Sequence, residues 1–298
     1  MTHSSCPSQF LPEKVNRPFV AYGIFKPGQI AYCQLKDFVD YATKVNIPGS
    51  LRLRDGVVLF DQRRIDGPVD AFRLSFLSGL EQRAYAVISD MEPSNLFYWD
   101  SVEIDGEACN ILSGKKIDRG SHEIDMQEYV DIWNDPLFNA ALEVVENELL
   151  RKTNGSGDMK AFFKLQMSYL LLWSALERFV TLRYGFGQNL VKKIEMLACD
   201  KTFCASIGKH VSEKNHVKVF RADDPEKTYE ARPDKPLSTI RAYYQLRSNI
   251  THRGKSYNKD YQRLLNSAKT LLLIFRDVLA ASQQEASLDL ENITSIYG

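Results

Sequence analysis

Leu246-Arg-Ser-Asn-Ile-Thr-His-Arg-Gly254 sets an arginine and a histidine five residues apart, in a stretch with no acidic residue between Asp234 and Asp260. Arginine presents a fixed fork of donors to a phosphate, and histidine is the side chain whose proton moves near neutral pH, so the pair carries the chemistry needed to cleave RNA. The same stretch holds Lys235, Arg241, Arg253, Lys255 and Lys259, interleaved with Tyr243, Tyr244 and Tyr257. Cations of this kind grip a phosphate backbone, and the rings stack on bases. Arg247 and His252 are the candidate catalytic residues. Ser248, four residues before His252, shares its helical face and is placed to orient the ring or touch the phosphate. Arg241, Tyr244, Asn249, Arg253 and Lys255 are the candidate substrate contacts.

The pattern upstream is helical, and Gly254 is the stop signal that puts His252 in the final turn, where backbone carbonyls favour imidazolium. Successive helical residues turn about 100°, so Arg247 falls beside Ile240, Tyr243, Tyr244 and Ile250, with His252 about 140° from it. One straight helix does not point both side chains at one phosphate. Either the helix loosens at its end, or a second copy of the chain completes the site. An arginine and a histidine at this spacing also arise by chance in basic helices.

The segment resembles the Arg-x4-6-His signature of HEPN domains, the higher eukaryote and prokaryote nucleotide-binding family of helical bundles, here with four residues between Arg247 and His252. That resemblance implies an all-α bundle whose motif residues meet across a homodimer interface, and a metal-independent endoribonuclease of the toxin or antiviral-effector kind. Carried over, Arg247 would stabilise the scissile phosphate, and His252 would act as general acid or base for attack by the 2′-hydroxyl. Ser248 stands where many members carry a larger polar residue.

At 298 residues the chain exceeds the usual single domain and is expected to form two. A hydrophobic content of 44 % supports real cores. With 38 basic and 38 acidic residues, any contact with RNA must come from a local patch rather than from bulk charge. Cys6, Cys33, Cys109, Cys199 and Cys204 are odd in number and scattered, which fits reduced thiols in a cytoplasm. No signal-peptide pattern opens the sequence. The most apolar run, Tyr169 to Trp173, is soon broken by Ser174 and Glu177, far short of the roughly 20 residues that cross a bilayer. Cys199, Cys204, His210 and His216 lack the spacing of a common zinc site, and a helix with incidental cysteines accounts for them better. No metal or cofactor is expected.

A composition shift near Ser121 divides the chain into 1–121 and 122–298. The first part holds short β-like runs between turn residues: Phe19-Val-Ala-Tyr22, Gly56-Val-Val-Leu-Phe60, Arg83-Ala-Tyr-Ala-Val-Ile88 and Ser101-Val-Glu-Ile104. The second is helical. Asp135-Pro136 makes a helix start for 137–151, with the acid as N-cap and proline in the first turn. Asn154-Gly-Ser-Gly157 breaks the chain, one long apolar helix covers 158–184 and ends at Gly185, and another covers 259–281. Residues 221–236, with three prolines and many charges, form an exposed loop beside an RNA path.

The first part offers a second chemistry. Tyr22-Gly-Ile-Phe-Lys-Pro-Gly-Gln29 leaves a strand into a glycine-containing loop able to present backbone amides to a carboxylate or phosphate. Ala86-Val-Ile-Ser-Asp-Met-Glu92 ends a strand with a carboxylate, followed by Leu96-Phe-Tyr98. Together these resemble the γ-glutamylcyclotransferase-like family over about residues 18–115. The resemblance implies a small mixed β-barrel with Glu92 in the catalytic position. Tyr22, Gly23, Ile24 and Phe25 would hold a γ-glutamyl-like or nucleotide ligand. In that family the glutamate shuttles a proton while the substrate amine attacks its own γ-amide, closing to 5-oxoproline. A ligand-sensing or partner-binding role remains open beside catalysis. The expected architecture is therefore α+β: a cyclotransferase-like barrel followed by a HEPN-like helical bundle, with the second domain cutting RNA and the first as sensor or regulator; the alternatives are a cyclotransferase using Glu92 with the helical domain for dimerisation, and a protein that binds RNA or nucleotides without catalysis.

Overall fold

The computed structural model describes residues 10–64, 67–124, 133, 135–150, 159–185, 189–212, 217–221, 224–253 and 257–297, the side chains of 252, 253, 257–259 and 294–297 excepted. The architecture is mixed α and β, with the sheet in the amino-terminal half and the long helices in the carboxyl-terminal half. Two compact units make up the chain: Met1–Ile132 with Leu182–Gln188 and Gln283–Gly298, and Trp133–Thr181 with Asn189–Ser282. The first thus takes in two short segments from the helical half, which no single cut near residue 121 expresses.

The first unit is built on β1 (Phe19–Ala21), β2 (Val39–Arg54), β3 (Val57–Asp61), β4 (Gly67–Phe76), helix α1 (Glu81–Met91), β5 (Phe97–Ile104), β6 (Glu107–Gly114) and β7 (His122–Glu123). The strands form one sheet in the order β3-β2-β4-β1-β6-β5, with β7 added to β2. β1 is central, antiparallel to β4 and parallel to β6. The sheet curls, because Gly114 of β6 meets β3: a Cβ on Gly114 would lie 2.7 Å from Cβ of Leu59.

Alternation along β1 separates two apolar layers. Val20 joins Ile47, Leu51, Phe60, Val69 and Ile111 in the core enclosed by the curled sheet. Phe19 points the other way, into an edge-to-face aromatic group with Tyr85 and Trp99, their centroids 5.3 to 6.3 Å apart. Tyr85 also ties α1 to the sheet through hydrogen bonds, its hydroxyl donating to the Arg17 carbonyl at 2.7 Å and accepting from Asn110 Nδ2 at 2.9 Å.

The segment expected as a strand over 83–88 is helix α1. Tyr, Val and Ile give it a β-like composition. A window long enough to include Met91, however, shows Ala84, Tyr85, Ile88 and Met91 buried on one face at helical spacing. The other three strand expectations coincide with β1, β3 and β5.

The second unit contains α2 (Pro136–Leu150), α3 (Met159–Tyr184) up to Thr181, α4 (Leu190–Leu197), α5 (Lys201–His210), β8 (Lys218–Phe220), β9 (Thr228–Glu230), α6 (Pro236–Arg253), and α7 (Tyr257–Tyr297) up to Ser282. Asp135 caps α2 as its sequence indicates, Oδ1 accepting from the Leu137 amide at 2.9 Å. Phe138, Phe179 and Phe275, from α2, α3 and α7, pack as a triangle with centroids 5.9 to 6.3 Å apart. The Asn154 to Gly157 break lies outside the described residues.

Two differences from expectation have clear causes. Residues 221–236 are not a plain loop, since β9 pairs antiparallel with β8 and the hairpin docks on α6. There Asn249 Nδ2 donates to the Phe220 carbonyl at 2.9 Å, and Ser238 Oγ to the Glu230 carbonyl at 2.7 Å. α7 does not stop at 281 but runs on to Tyr297. The apolar pattern fades there, yet neither glycine nor proline interrupts 282–297, so helix propensity carries the backbone onward.

Candidate active site

α1 ends at Met91, and Glu92 is its C-cap residue, the backbone N–H donating to the Ile88 carbonyl at 2.9 Å. A carboxylate at the carbonyl end of a helix meets the negative pole of the helix dipole. The side chain is buried, 7 % exposed, and Oε2 has no hydrogen-bond partner among the described residues. Burial in this apolar setting pushes its pKa up to about 8 from the usual 4.5. Burial thus favours the protonated form of Glu92 at neutral pH.

Glu92 lines a pocket. Its walls include Tyr22, Gly23, Ile24 and Phe25, so the loop and the carboxylate singled out from sequence meet at one place. β1 brings the loop there, and the turn that follows it uses its carbonyls internally. Gly23 accepts from the Lys26 amide and Ile24 from the Ala31 amide, both at 3.1 Å. The backbone N–H groups of Gly23, Ile24 and Phe25 are not donors in these turn bonds. Tyr22 is fixed by its hydroxyl, which donates to the Leu112 carbonyl at 2.8 Å, and by its ring against Phe60 at 5.4 Å. The tyrosine thus shapes the pocket.

Sequence reading missed the apolar lining from Phe19, Phe97, Leu112 and Leu182. Phe19 sits in a recognised strand, so its proximity to the loop was legible. Leu182 comes from a helix 90 residues after Glu92, and no local pattern connects the two.

The second candidate site is arranged differently. α6 is one continuous helix from Pro236 to Arg253, so Arg247 and His252 lie on it about 140° apart. Loosening of the helix before Arg253 is therefore not how one chain would bring them together. The His252 and Arg253 side chains, and Lys255 altogether, lie outside the described residues. Arg247 is half-buried against α3, its Nη2 3.3 Å from Glu177 Oε1, with the guanidinium 5.9 Å from the centre of the Tyr244 ring. Burial raises the Glu177 pKa and Arg247 opposes that rise. Tyr244 packs edge-on against Trp173 at 5.7 Å. Arg241 pairs with Glu195, and Asn249 is buried between Gln245 Nε2, 2.8 Å away, and the Phe220 carbonyl. Ser248 is partly buried. Of the expected RNA contacts, Arg241 and Asn249 thus serve structural bonds in this state.

Cys204 donates to the Ala198 carbonyl at 3.3 Å and His210 Nε2 lies 2.8 Å from Asp277, while His216 lies outside the described residues. Among the described residues, no helix is long and apolar enough to cross a membrane. Comparison of the chain with known protein families, with curated proteins and with solved structures finds no match.

Proposed function

We propose that the chain is a γ-glutamylcyclotransferase-like enzyme, with the curled sheet as its small barrel and Glu92 as the general acid–base. The observation that carries this reading is a buried carboxyl whose Oε2 has no hydrogen-bond partner among the described residues, in a pocket walled by the loop of Tyr22, Gly23, Ile24 and Phe25. Such a carboxyl lowers stability, and perturbed groups in clefts concentrate where chemistry is done.

In the proposed reaction the substrate carboxylate binds the loop amides around Gly23, Ile24 and Phe25. Ionised Glu92 accepts a proton from the substrate α-amine as its lone pair attacks the γ-carbonyl carbon. A carbon–nitrogen bond closes the five-membered ring. The bond from the γ-carbon to the leaving amine then breaks, and Glu92 returns the proton to that nitrogen. The products are 5-oxoproline and a free amine, and no water is consumed. Incubation with γ-glutamyl amines and detection of 5-oxoproline tests this. Release by the wild type and its loss in Glu92→Gln is expected, and release that persists in the variant would refute the assignment.

A second reading, endoribonuclease action by a HEPN-like homodimer in a toxin or antiviral setting, is supported by one feature. Arg247 Nε is buried with no hydrogen-bond partner among the described residues, so its fork has donor capacity beyond Glu177. A cytoplasmic location suits either activity. RNA cleavage in EDTA by wild type, abolished in Arg247→Ala, tests it. Intact RNA under those conditions counts against it.

A further inference from the structure

The Glu92 pocket has a wall drawn from far along the chain. Leu182, in the last turn of α3, lines it and is 1 % exposed. The residues just after it are held to the same unit at two further points. Arg183 is buried and ion-paired to Glu285 at 3.1 Å, and Lys36 holds Glu285 at 2.7 Å and Asp289 at 3.4 Å. Gly185, with φ +102°, is pressed against the residue before Glu92: a Cβ there would lie 2.5 Å from Met91 Cα. Only glycine takes this backbone shape at that distance without displacing α1. Leu182 is therefore positioned by its surroundings, not merely near the site.

The lining is otherwise apolar, with Phe19, Phe25, Val57, Phe97 and Leu112, and it includes no basic side chain. A charged group entering this part of the pocket would lose its hydration without gaining a counter-ion, whereas an alkyl group would gain contact. We propose that Leu182 is a specificity-determining residue of the Glu92 site, setting the size of a compact, uncharged, apolar leaving amine. This inference rests on the acyl-transfer reading of Glu92 for its chemistry, but the fit between Leu182 and an alkyl group is measurable without turnover.

The test uses the full chain and a series of γ-glutamyl n-alkylamides from methyl to hexyl. Both 5-oxoproline release and calorimetric binding are followed in wild type, Leu182→Ala and Leu182→Phe. A methylene accommodated or excluded by an apolar pocket changes kcat/KM by roughly tenfold or more. The alanine variant is expected to move the chain-length optimum to longer amides, with at least about a tenfold gain for those beyond the wild-type limit, and the phenylalanine variant to move it to shorter ones. Shifts in opposite directions exclude damage to the fold as their cause. Binding profiles that shift while no protein releases 5-oxoproline would support the role of Leu182 and overturn the reaction. Identical profiles in all three proteins, or no binding by wild type, would overturn the proposal.

Discussion

Replacing Glu92 with glutamine removes a titrating group whose folded-state pKa of about 8 stands well above its ordinary 4.5. An acid raised in this way binds its proton more tightly in the folded than in the unfolded chain. Its favourable contribution is complete below pH 4.5 and is lost progressively as pH rises through 8. At 1.36 kcal/mol per pH unit, the wild type should lose about 3 kcal/mol between pH 4.5 and 7 from this group alone, and about 5 kcal/mol by pH 9. The variant keeps every other titration and lacks this one. The difference between the two stability curves therefore isolates Glu92, with the buried amide adding only a constant offset. Urea or thermal unfolding at half-unit steps from pH 5 to 9.5 measures that difference. At roughly 2–4 °C per kcal/mol for a unit of this size, the melting-point gap should widen by on the order of 10 °C in favour of the variant across the range. Parallel curves would mean that the carboxyl finds water or a partner, and the reasoning from a dry, unpaired Glu92 would fail.

Other expectations follow from the same contacts. If ionised Glu92 is the base, 5-oxoproline release should rise with pH through about 8, and a rate already maximal at pH 6 would remove it from that role. Asn249→Ala breaks the bond from α6 to the Phe220 carbonyl and should cost about 1–3 kcal/mol. Hydrogen exchange should then quicken in the β8–β9 hairpin first, and unchanged protection there would contradict a structural role. Phe275→Ala opens a cavity in the α2–α3–α7 triangle and should destabilise the second unit by about 3–5 kcal/mol in denaturant titrations. Loss below about 1 kcal/mol would show that the triangle is not the centre of that core.

The legible part of the fold was the part whose cause is local. Asp135-Pro136 announces a helix because cap and first-turn geometry are written in adjacent residues, and Gly185 ends α3 because a positive φ suits glycine. Over 83–88 a short window does not separate a helical face from a β-rich composition, and the face emerges only when Met91 is included. Apolar periodicity alone predicts an end to α7 near 281, whereas a run free of glycine and proline carries it to Tyr297. At the pocket, the resemblance to the γ-glutamylcyclotransferase-like family names Tyr22, Gly23, Ile24, Phe25 and Glu92 together, and all five line it. Leu182 was not legible, since an apolar residue at the end of an apolar helix looks like any core position until the chain folds it against the pocket.

What separates the two candidate sites physically is whether the fold supplies a partner. Arg247 lies beside Glu177 and near the Tyr244 ring, and a half-buried pair of this kind is explained by holding α6 to α3. An external phosphate would have to displace a carboxylate already in place. At Glu92 the opposite holds: burial, a helix carbonyl end and an apolar lining all oppose ionisation, while the lining includes no cation to relieve it. A fold free to vary would replace such a residue with leucine or glutamine at a gain in stability. A buried carboxyl whose Oε2 has no hydrogen-bond partner among the described residues is what the cyclotransferase proposal accounts for and the ribonuclease proposal does not.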